Sequence, residues 1–524
     1  MRKDVTSTMK RFVLYVVLLS IALVFPVSGS AAEYGKMTPA KETALKWLDA
    51  HAELGKEVSL YVWHYPELGL GEHYSSAILQ DVLKKAGFSV VDNVAGMKTA
   101  FVATWGQGKP VIGIHAEFDA LPGISQVAGL AEEKQIVAGA PGHGCGHNVF
   151  GTYSVMAAIA VKEAIEKNGL AGTIKLYGTP AEETLVGKAY FVKDGIYKDD
   201  DIVISWHPGS SNGVSYASSL AMDNFKVRFY GKAAHASSAP WSGRSALDAV
   251  ELMNIGMNYM REHVRPETRI HYSIPDGGKA PNVVPPYAEV WYFVRAPEYR
   301  LVTEAVNWAH KIAEGAAMMT GTKMEFIKIT GVWQYLPNRI LARVGQANVQ
   351  LIGGVPHGED HQKVAEPFAR SMNVAEAPFI ETGFSEFVDE PFKWATSGGS
   401  IDEANTSWVV PMVRFSGATI AKGTPGHSWQ AVAQNALPPA FMGGLTAAKY
   451  MAATAIDLMS EKALVDDAQK EFNESLKQYG PFVDPVKDQN VPTFELMHNV
   501  KEDAVPRQYD VLPYKKPDLD TLMK

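Results

Sequence analysis

The chain has a single cysteine, Cys145, among 524 residues. One cysteine excludes an intramolecular disulfide, even in a compartment that would permit one. The chain also lacks a basic stripe or an arginine-rich arm, and its 57 acidic residues outnumber its 49 lysines and arginines, for a net charge of −8. Nucleic acid and anionic membrane surfaces are therefore poor candidate partners, and we expect a small-molecule substrate.

A membrane-length apolar run is also lacking. Four basic residues within the first eleven precede an apolar run at residues 12–25, and small residues follow at 28–32. This is the composition of a secretory signal, whereas a membrane span needs about 20 apolar residues. We predict a signal peptide at residues 1–32, a periplasmic or extracellular protein, and no membrane attachment unless the signal stays uncleaved.

The remaining chain, about 490 residues, exceeds what one hydrophobic core usually serves, so two or more domains are expected. Apolar strands are predicted at 111–114, 172–177 and 201–205, and helices at 38–54 and 149–167. Strands and helices that alternate in this way indicate an open α/β domain.

The pattern changes between residues 215 and 329, where strands and helices follow the order β-α-β-β-α-β. Such a unit resembles a ferredoxin-like α+β layer inserted into the α/β domain. We therefore predict a catalytic domain in two parts, 33–214 and 330–460, around an inserted domain at 215–329. We assign no function to the extension at 461–524.

Each predicted strand of the α/β domain runs into a loop with candidate site residues. Glu117 and Asp119 follow the first strand, Glu182 and Glu183 the second, and His207 the third. Open α/β sheets place ligands outside the carboxyl ends of their strands, so these side chains should converge.

Two further motifs add metal-binding residue types. Cys145 and His147 stand in Gly-His-Gly-Cys-Gly-His-Asn just before a predicted helix, and His427 stands in Gly-Thr-Pro-Gly-His-Ser-Trp. Thiolate, imidazole and carboxylate are ligands of divalent first-row metals, and a helix N-terminus is expected to lower the pKa of the thiol.

The adjacent carboxylates of Glu182 and Glu183 suggest two different chemical roles. In an extended loop neighbouring side chains point to opposite sides, so one carboxylate can bind metal while the other holds an attacking water. The residues together predict metal-assisted hydrolysis.

A longer series of motifs, over roughly residues 40–460, resembles the metallo-aminoacylase and carboxypeptidase family and, within it, the amidohydrolase branch. The ordered series is specific, although no single motif would suffice. Besides the segments around Cys145 and His427, it consists of Trp63-His-Tyr-Pro-Glu-Leu-Gly69, Glu117-Phe-Asp-Ala-Leu-Pro-Gly123, Pro180-Ala-Glu-Glu183, Gly231-Lys-Ala-Ala-His235 and Asn282-Val-Val-Pro285.

The resemblance implies a cofactor of two divalent metal ions per subunit, zinc or manganese, with Glu182 as general base. The implied metal ligands are Cys145, His147, Glu183, His207 and His427. Many relatives use a His-x-Asp pair where this chain has Glu117-Phe118-Asp119. Cys145 would take over one ligand role and leave Asp119 to orient a ligand histidine, with His115 as a rival ligand.

The resemblance also assigns catalytic roles on the inserted domain. His235 would polarise the scissile carbonyl, in many members from the partner subunit, and Asn282 would bind the oxyanion or a substrate carboxylate. The inserted domain would dimerise, giving a homodimer or a heteromer with a related subunit.

The function implied is hydrolysis of the amide bond of N-acyl or N-aroyl amino acids, with p-aminobenzoyl-glutamate as the leading compound. A metal-dependent dipeptidase and a non-catalytic exported binding protein on the same fold remain alternatives. Arg295, Trp408 and Trp429 are candidates for pocket lining or carboxylate binding, with packing as the alternative role.

Two patterns point elsewhere. Gly209-Ser-Ser-Asn-Gly213 matches the serine-hydrolase pattern, but the residues after it favour a strand or loop over the helix that a nucleophile elbow requires. His357 and His361, four residues apart, are interpreted as a solvated helix start in preference to a metal pair.

Overall fold

The computed structural model describes residues 34–524, so the predicted signal peptide at 1–32 lies outside the described residues. Within 34–524, no helix combines the length and hydropathy that crossing a bilayer requires.

Strands and helices alternate along much of the described chain. The strands are β1 (Ser89–Asp92), β2 (Phe101–Gln107), β3 (Val111–Ala116), β4 (Gly172–Gly178), β5 (Ile202–Gly209), β6 (Gly213–Ser215), β7 (Ala221–Tyr230), β8 (Arg269–Asp276), β9 (Tyr287–Ala296), β10 (Lys323–Val332) and β11 (Met412–Ala418). The helices are α1 (Pro39–Ala50), α2 (Ala52–His64), α3 (His73–Lys85), α4 (His147–Asn168), α5 (Gly187–Lys193), α6 (Ala246–Met260), α7 (Tyr299–Thr320), α8 (Arg339–Ile352), α9 (Glu359–Ser371), α10 (Glu403–Thr406), α11 (Trp429–Gln434), α12 (Pro438–Ser460), α13 (Lys462–Tyr479), α14 (Phe494–His498) and α15 (Leu519–Leu522).

The larger sheet has seven strands in the order β1-β2-β4-β3-β5-β11-β6. Its centre, β4-β3-β5-β11, is parallel, and the flanking strands are antiparallel. Every residue of β3 is buried, as expected for a parallel strand covered on both faces. The long helix α4, buried over most of its length, connects β3 to β4. The predicted open α/β fold is confirmed.

The sequence-based boundaries differ from the structure at two places. The helix predicted at 38–54 is two helices, α1 and α2, which meet at His51. The strand predicted to end at residue 205 continues to Gly209, because β11 pairs with it and sets His207 opposite Ser416. His207 therefore lies within a strand and not in the loop after it.

The smaller sheet has four antiparallel strands in the order β10-β7-β9-β8, and α6 and α7 pack on one face. Its elements follow the predicted order β-α-β-β-α-β, so the ferredoxin-like layer is confirmed. Side chains alternate across the sheet, and those facing the helices form a separate apolar core.

The C-terminal extension packs on the rest of the molecule. Helix α13 contacts α8, and beyond it Val486 and Met497 are fully buried. Farther on, the hydroxyl of Tyr65 donates to the carbonyl of Tyr514 at 3.0 Å. Residues 461–524 thus contribute to the hydrophobic core of the larger layer.

Candidate metal centre and active site

A cavity of about 440 Å³ opens at the carboxyl end of the central strands. The larger layer forms one wall and the smaller sheet the other, since Phe293 and Arg295 of β9 also line it. From the larger layer the lining includes Cys145, Glu182, Glu183, His207 and His427. The structure therefore brings residues from four separate motifs into one cavity.

Two groups of metal-binding donors share Cys145. Its Sγ lies 3.4 Å from Nε2 of His207, and His147 completes a set of ligand atoms that lie within 4.8 Å of one another. Cys145, Glu183 and His427 form a second such set, in which His427 Nε2 is 3.4 Å from Glu183 Oε2. A thiolate common to two donor sets suits two neighbouring cations.

Carboxylates lie near both ring nitrogens of His147. Nδ1 lies 2.8 Å from Oδ1 of Asp119, while Nε2 is 3.2 Å from Glu117 and 3.8 Å from Glu182. The second oxygen of Asp119 accepts a hydrogen bond from the backbone N–H of Glu183 at 2.9 Å. Asp119 thus orients a candidate ligand on each side, and Glu117, His147 and Glu182 form a third candidate donor group.

The turn that presents Glu182 and Glu183 has a constrained backbone. Ala181 and Leu185, on either side of a short 3-10 turn, both have left-handed φ angles of 57° and 59°. The buried carboxylate of Glu72 accepts the backbone N–H of Ala181 at 2.8 Å. Strained non-glycine residues of this kind cost about 1–3 kcal/mol each and cluster at functional sites.

Burial is the largest influence on the pKa values of three glutamates in the site. Burial raises the pKa of Glu117 to about 7, that of Glu183 to about 8, and that of Glu182 well above its usual range. The predicted lowering of the pKa of Cys145 is wrong, because burial and then the charge of Glu183 raise it. Cys145 also lies outside α4, which begins at His147.

The donor set fits divalent cations. Nε2 of His147 and Oε1 of Glu183 are buried without a hydrogen-bond partner. Burial also lowers the pKa of His207 to about 3, so its imidazole is in the neutral form that binds metals. Cations would balance the crowded carboxylates and favour the thiolate that the protein's own groups disfavour.

A buried lysine lies beneath this site, and sequence reasoning missed it. The ammonium of Lys188, fully buried, lies 2.7 Å from Glu117 and 2.6 Å from Asp402. Next to Asp402, Glu403 pairs with Arg414 at 2.9 Å, and Nδ1 of His115 is 3.4 Å from the same carboxylate. The adjacent acidic residues Asp402 and Glu403 can be noticed in the sequence, but nothing there distinguishes Lys188, a lysine on a short helix.

Some expected or rival ligands lie outside the cluster. His115 faces Glu403 and belongs to none of the donor groups found within residues 34–524. His357 and His361 lie against each other, with their Nδ1 atoms 3.0 Å apart, and Nε2 of His357 is 2.9 Å from the carbonyl oxygen of Ala418. Trp408 is buried in a separate apolar cluster.

His235 and Asn282 are not in the cavity of their own chain. Both are exposed on neighbouring loops of the smaller layer, where the backbone N–H of Ala236 donates to the Asn282 carbonyl at 2.9 Å. These loops adjoin the start of β9, whereas Arg295 is near its end. A strand of ten residues is roughly 30 Å long, which separates the pair from the candidate ligands.

The arrangement around His147 yields a prediction for Asp119→Asn. The amide keeps the size of the side chain but loses the charge that fixes the ring, so zinc or manganese should bind about 10-fold to 100-fold more weakly. Titration against a competing chelator measures this, with the exposed Asp467→Asn on α13 as control. Equal affinity in Asp119→Asn and the unaltered protein would contradict the orienting role.

Comparison with known proteins gives consistent matches. The family model for the peptidase dimerisation domain matches residues 221–317. One of the subunits of p-aminobenzoyl-glutamate hydrolase from Escherichia coli is 37% identical over 449 residues, covering 82% of this chain and 93% of that protein. The mouse Xaa-Arg dipeptidase is 28% identical over 469 residues, covering 86% and 96%.

Solved structures share the fold. An amidase of the hydantoinase/carbamoylase family from Burkholderia vietnamiensis superposes with a TM-score of 0.50 at 12% identity, covering 80% of this chain and 98% of that one. At this identity the likeness concerns the two-layer architecture alone.

Proposed function

The chain belongs to the M20 family of metal-dependent peptidases and amidohydrolases, and we propose that it cleaves the amide bond of N-acyl or N-aroyl amino acids. It is a metal-dependent amidohydrolase by family, and p-aminobenzoyl-glutamate is the leading candidate substrate. The observation that carries the proposal is the position of Glu182 beside the donor cluster, in a cavity whose opposite wall holds Arg295.

We assign the metal centre to two divalent ions, zinc or manganese, held by Cys145, His147, Glu183, His207 and His427. The two donor sets that share Cys145 support this assignment. Bound there, the ions would polarise the amide carbonyl and lower the pKa of the attacking water.

Glu182 is the proposed proton carrier. Its carboxylate takes a proton from the attacking water and later gives that proton to the nitrogen of the leaving amine. Its neighbour Glu183 is occupied with His427, and the constrained turn keeps the two carboxylates in different roles.

Arg295 is the proposed anchor for the substrate carboxylate next to the scissile bond. Its Nε is buried without a hydrogen-bond partner, and its guanidinium donates to the hydroxyl of Ser400 at 3.3 Å. A guanidinium with free donors in a cavity suits a carboxylate, which it can bind through two parallel hydrogen bonds. N-acyl amino acids carry such a group.

His235 and Asn282 are proposed to act in the site of a partner subunit, since about 30 Å of sheet separates them from their own. A homodimer formed through the smaller layer would bring them there, and a heteromer with a related subunit is the alternative. Exposed apolar side chains on its helices, Tyr259 (74% exposed) and Met318 (81% exposed), support an interface.

Export remains part of the proposal. The basic start and the apolar run within residues 1–32 support a cleaved secretory signal and a periplasmic or extracellular location.

A dipeptidase is the second candidate. The mouse relative, matched over nearly its whole length, is named for Xaa-Arg dipeptides, and a dipeptide also presents an amide next to a carboxylate. The two candidates differ in the acyl group and in the amino acid released.

The test is hydrolysis of p-aminobenzoyl-glutamate and of alanyl-arginine by the purified protein loaded with zinc or manganese. We expect p-aminobenzoate release that falls at least 100-fold after chelation, since metal ions supply several kcal/mol of stabilisation to such transition states. Re-addition of either metal should restore it. Turnover that persists in the chelated sample would contradict the proposal, and turnover of the dipeptide alone would favour the second candidate.

A further inference from the structure

The active-site cavity adjoins a second cavity of about 420 Å³, which the proposed mechanism does not use. The two cavities share Phe293, Arg295, Ser397 and Gly398. Beyond these residues the second cavity reaches Arg269 and His271 on β8, the edge strand of the smaller sheet. A molecule bound beside Arg295 can therefore extend along the sheet from the first cavity into the second.

The strand pattern explains why these side chains face the cavity. Ile270 is buried under the helices, so its neighbours Arg269 and His271 point to the opposite face of the sheet. The pairing of β8 with β9 sets Arg269 opposite Arg295 and His271 opposite Phe293. Two guanidiniums and an imidazole thus share one face at the mouth of the active site.

This basic group forms no ion pair with the protein, although the charge of Glu182 acts on Arg295. Arg269 donates to the backbone carbonyls of Pro266 and Thr268, and Arg295 donates to the Ser400 hydroxyl. In the part of the chain that the structure describes, no carboxylate forms an ion pair with Arg269, His271 or Arg295. Like charges directly opposite on a sheet are destabilising. Arg269 and Arg295 therefore lower the stability of the smaller sheet, although the chain has an excess of acidic residues.

The environment of His271 agrees with this description. Burial first, and then the charges of Arg295, Arg261 and Arg269, lower the pKa of its imidazole. Positive potential at this place would attract an anion and repel a cation.

We infer that the second cavity is a subsite for a further carboxylate on the amine side of the scissile amide. The enzyme then prefers substrates that release an acidic amino acid, or an acidic chain that begins with one, over substrates that release a neutral or basic amino acid. Arg295 holds the carboxylate next to the amide, and Arg269 with His271 holds the second. Opposed residues on neighbouring strands have Cβ atoms about 5 Å apart, so one amino acid can reach both. The inference rests on the proposed function.

The test compares p-aminobenzoyl-glutamate with p-aminobenzoyl-glutamine, which has nearly the same shape without the second charge. Hydrogen bonds to a charged group correspond to roughly 10-fold to 100-fold in affinity, so we expect a preference of that size in kcat/KM, carried by KM. Arg269→Gln should bring the ratio close to one, mainly by raising KM for the glutamate compound. Lys311→Gln, which removes an exposed charge from α7, serves as control.

Binding separates this inference from the proposed function. Calorimetric titration of the same two compounds into the metal-loaded protein needs no turnover, so it decides the matter even if neither compound is hydrolysed. Tighter binding of the glutamate compound that is lost in Arg269→Gln supports the subsite. Equal binding of both compounds, or a preference that Arg269→Gln leaves intact, overturns it.

Discussion

Replacement of Glu182 by glutamine is expected to lower kcat for p-aminobenzoyl-glutamate by about 10²-fold to 10⁴-fold, the range that general acid–base catalysis contributes. Glutamine keeps the shape of the side chain but can neither accept the proton from water nor deliver it to the leaving amine. Metal content should stay at the level of the unaltered protein, because Cys145, His147 and His207 remain in place. Steady-state kinetics with elemental analysis of the same sample measures both quantities.

The neighbouring residue provides the matched control. Glu183→Gln alters the carboxylate that faces His427 and belongs to the second donor set, so we expect it to lose metal together with activity. Glu182 also lies near His147 and Glu117 in the third donor group. If Glu182→Gln lost metal as well, that group would be the ligand set and the assignment of Glu182 as proton carrier would be wrong.

The second large effect is on stability. Lys188→Met is expected to lower the free energy of unfolding by about 3–5 kcal/mol, because it leaves buried carboxylates without their cation. Methionine fills a similar volume, so the loss reports the charge and not a cavity. The carboxylates of Glu117 and Asp402 lie 2.7 Å and 2.6 Å from the ammonium. Urea unfolding of the chelated protein measures the change.

Two variants show whether charge is responsible. Lys462→Met removes an exposed lysine that pairs with Asp466 on α13, and such surface pairs contribute little. Adding Asp402→Asn to Lys188→Met removes one of the stranded negative charges and should recover part of the loss. A Lys188→Met protein as stable as Lys462→Met would show that the buried pair contributes nothing, against this expectation.

The sequence was informative where chemistry is concentrated in short motifs. The residues after β3 and β4 and just before α4 could be placed at one edge of a parallel sheet from strand order alone. Cys145, Glu182 and Glu183 line the cavity, and Asp119 lies against His147. The smaller sheet was also predictable, since each of its strands and helices has a clear period. What the motifs do chemically stays a proposal that the experiments above test.

Other features depend on contacts between distant residues and leave no local pattern. Lys188 looks like an ordinary helix lysine until Asp402 is brought to it by the fold. The extent of β5 depends on pairing with β11, which comes from a much later segment. The pKa of Cys145 was predicted from a helix end, but burial and the acidic neighbour outweigh that effect.

The place of β11 in the larger sheet has a consequence for synthesis on the ribosome. β5 pairs on one side with β3, but its other neighbour emerges only after the whole smaller sheet has been made. The smaller sheet is continuous in sequence and can fold first, as domains generally do. Until then the nascent chain carries β5 with an open hydrogen-bonding edge, a known starting point for aggregation. Val486 and Met497 join the core of the larger layer still later. That core is therefore complete only after the last tenth of the chain has been synthesised.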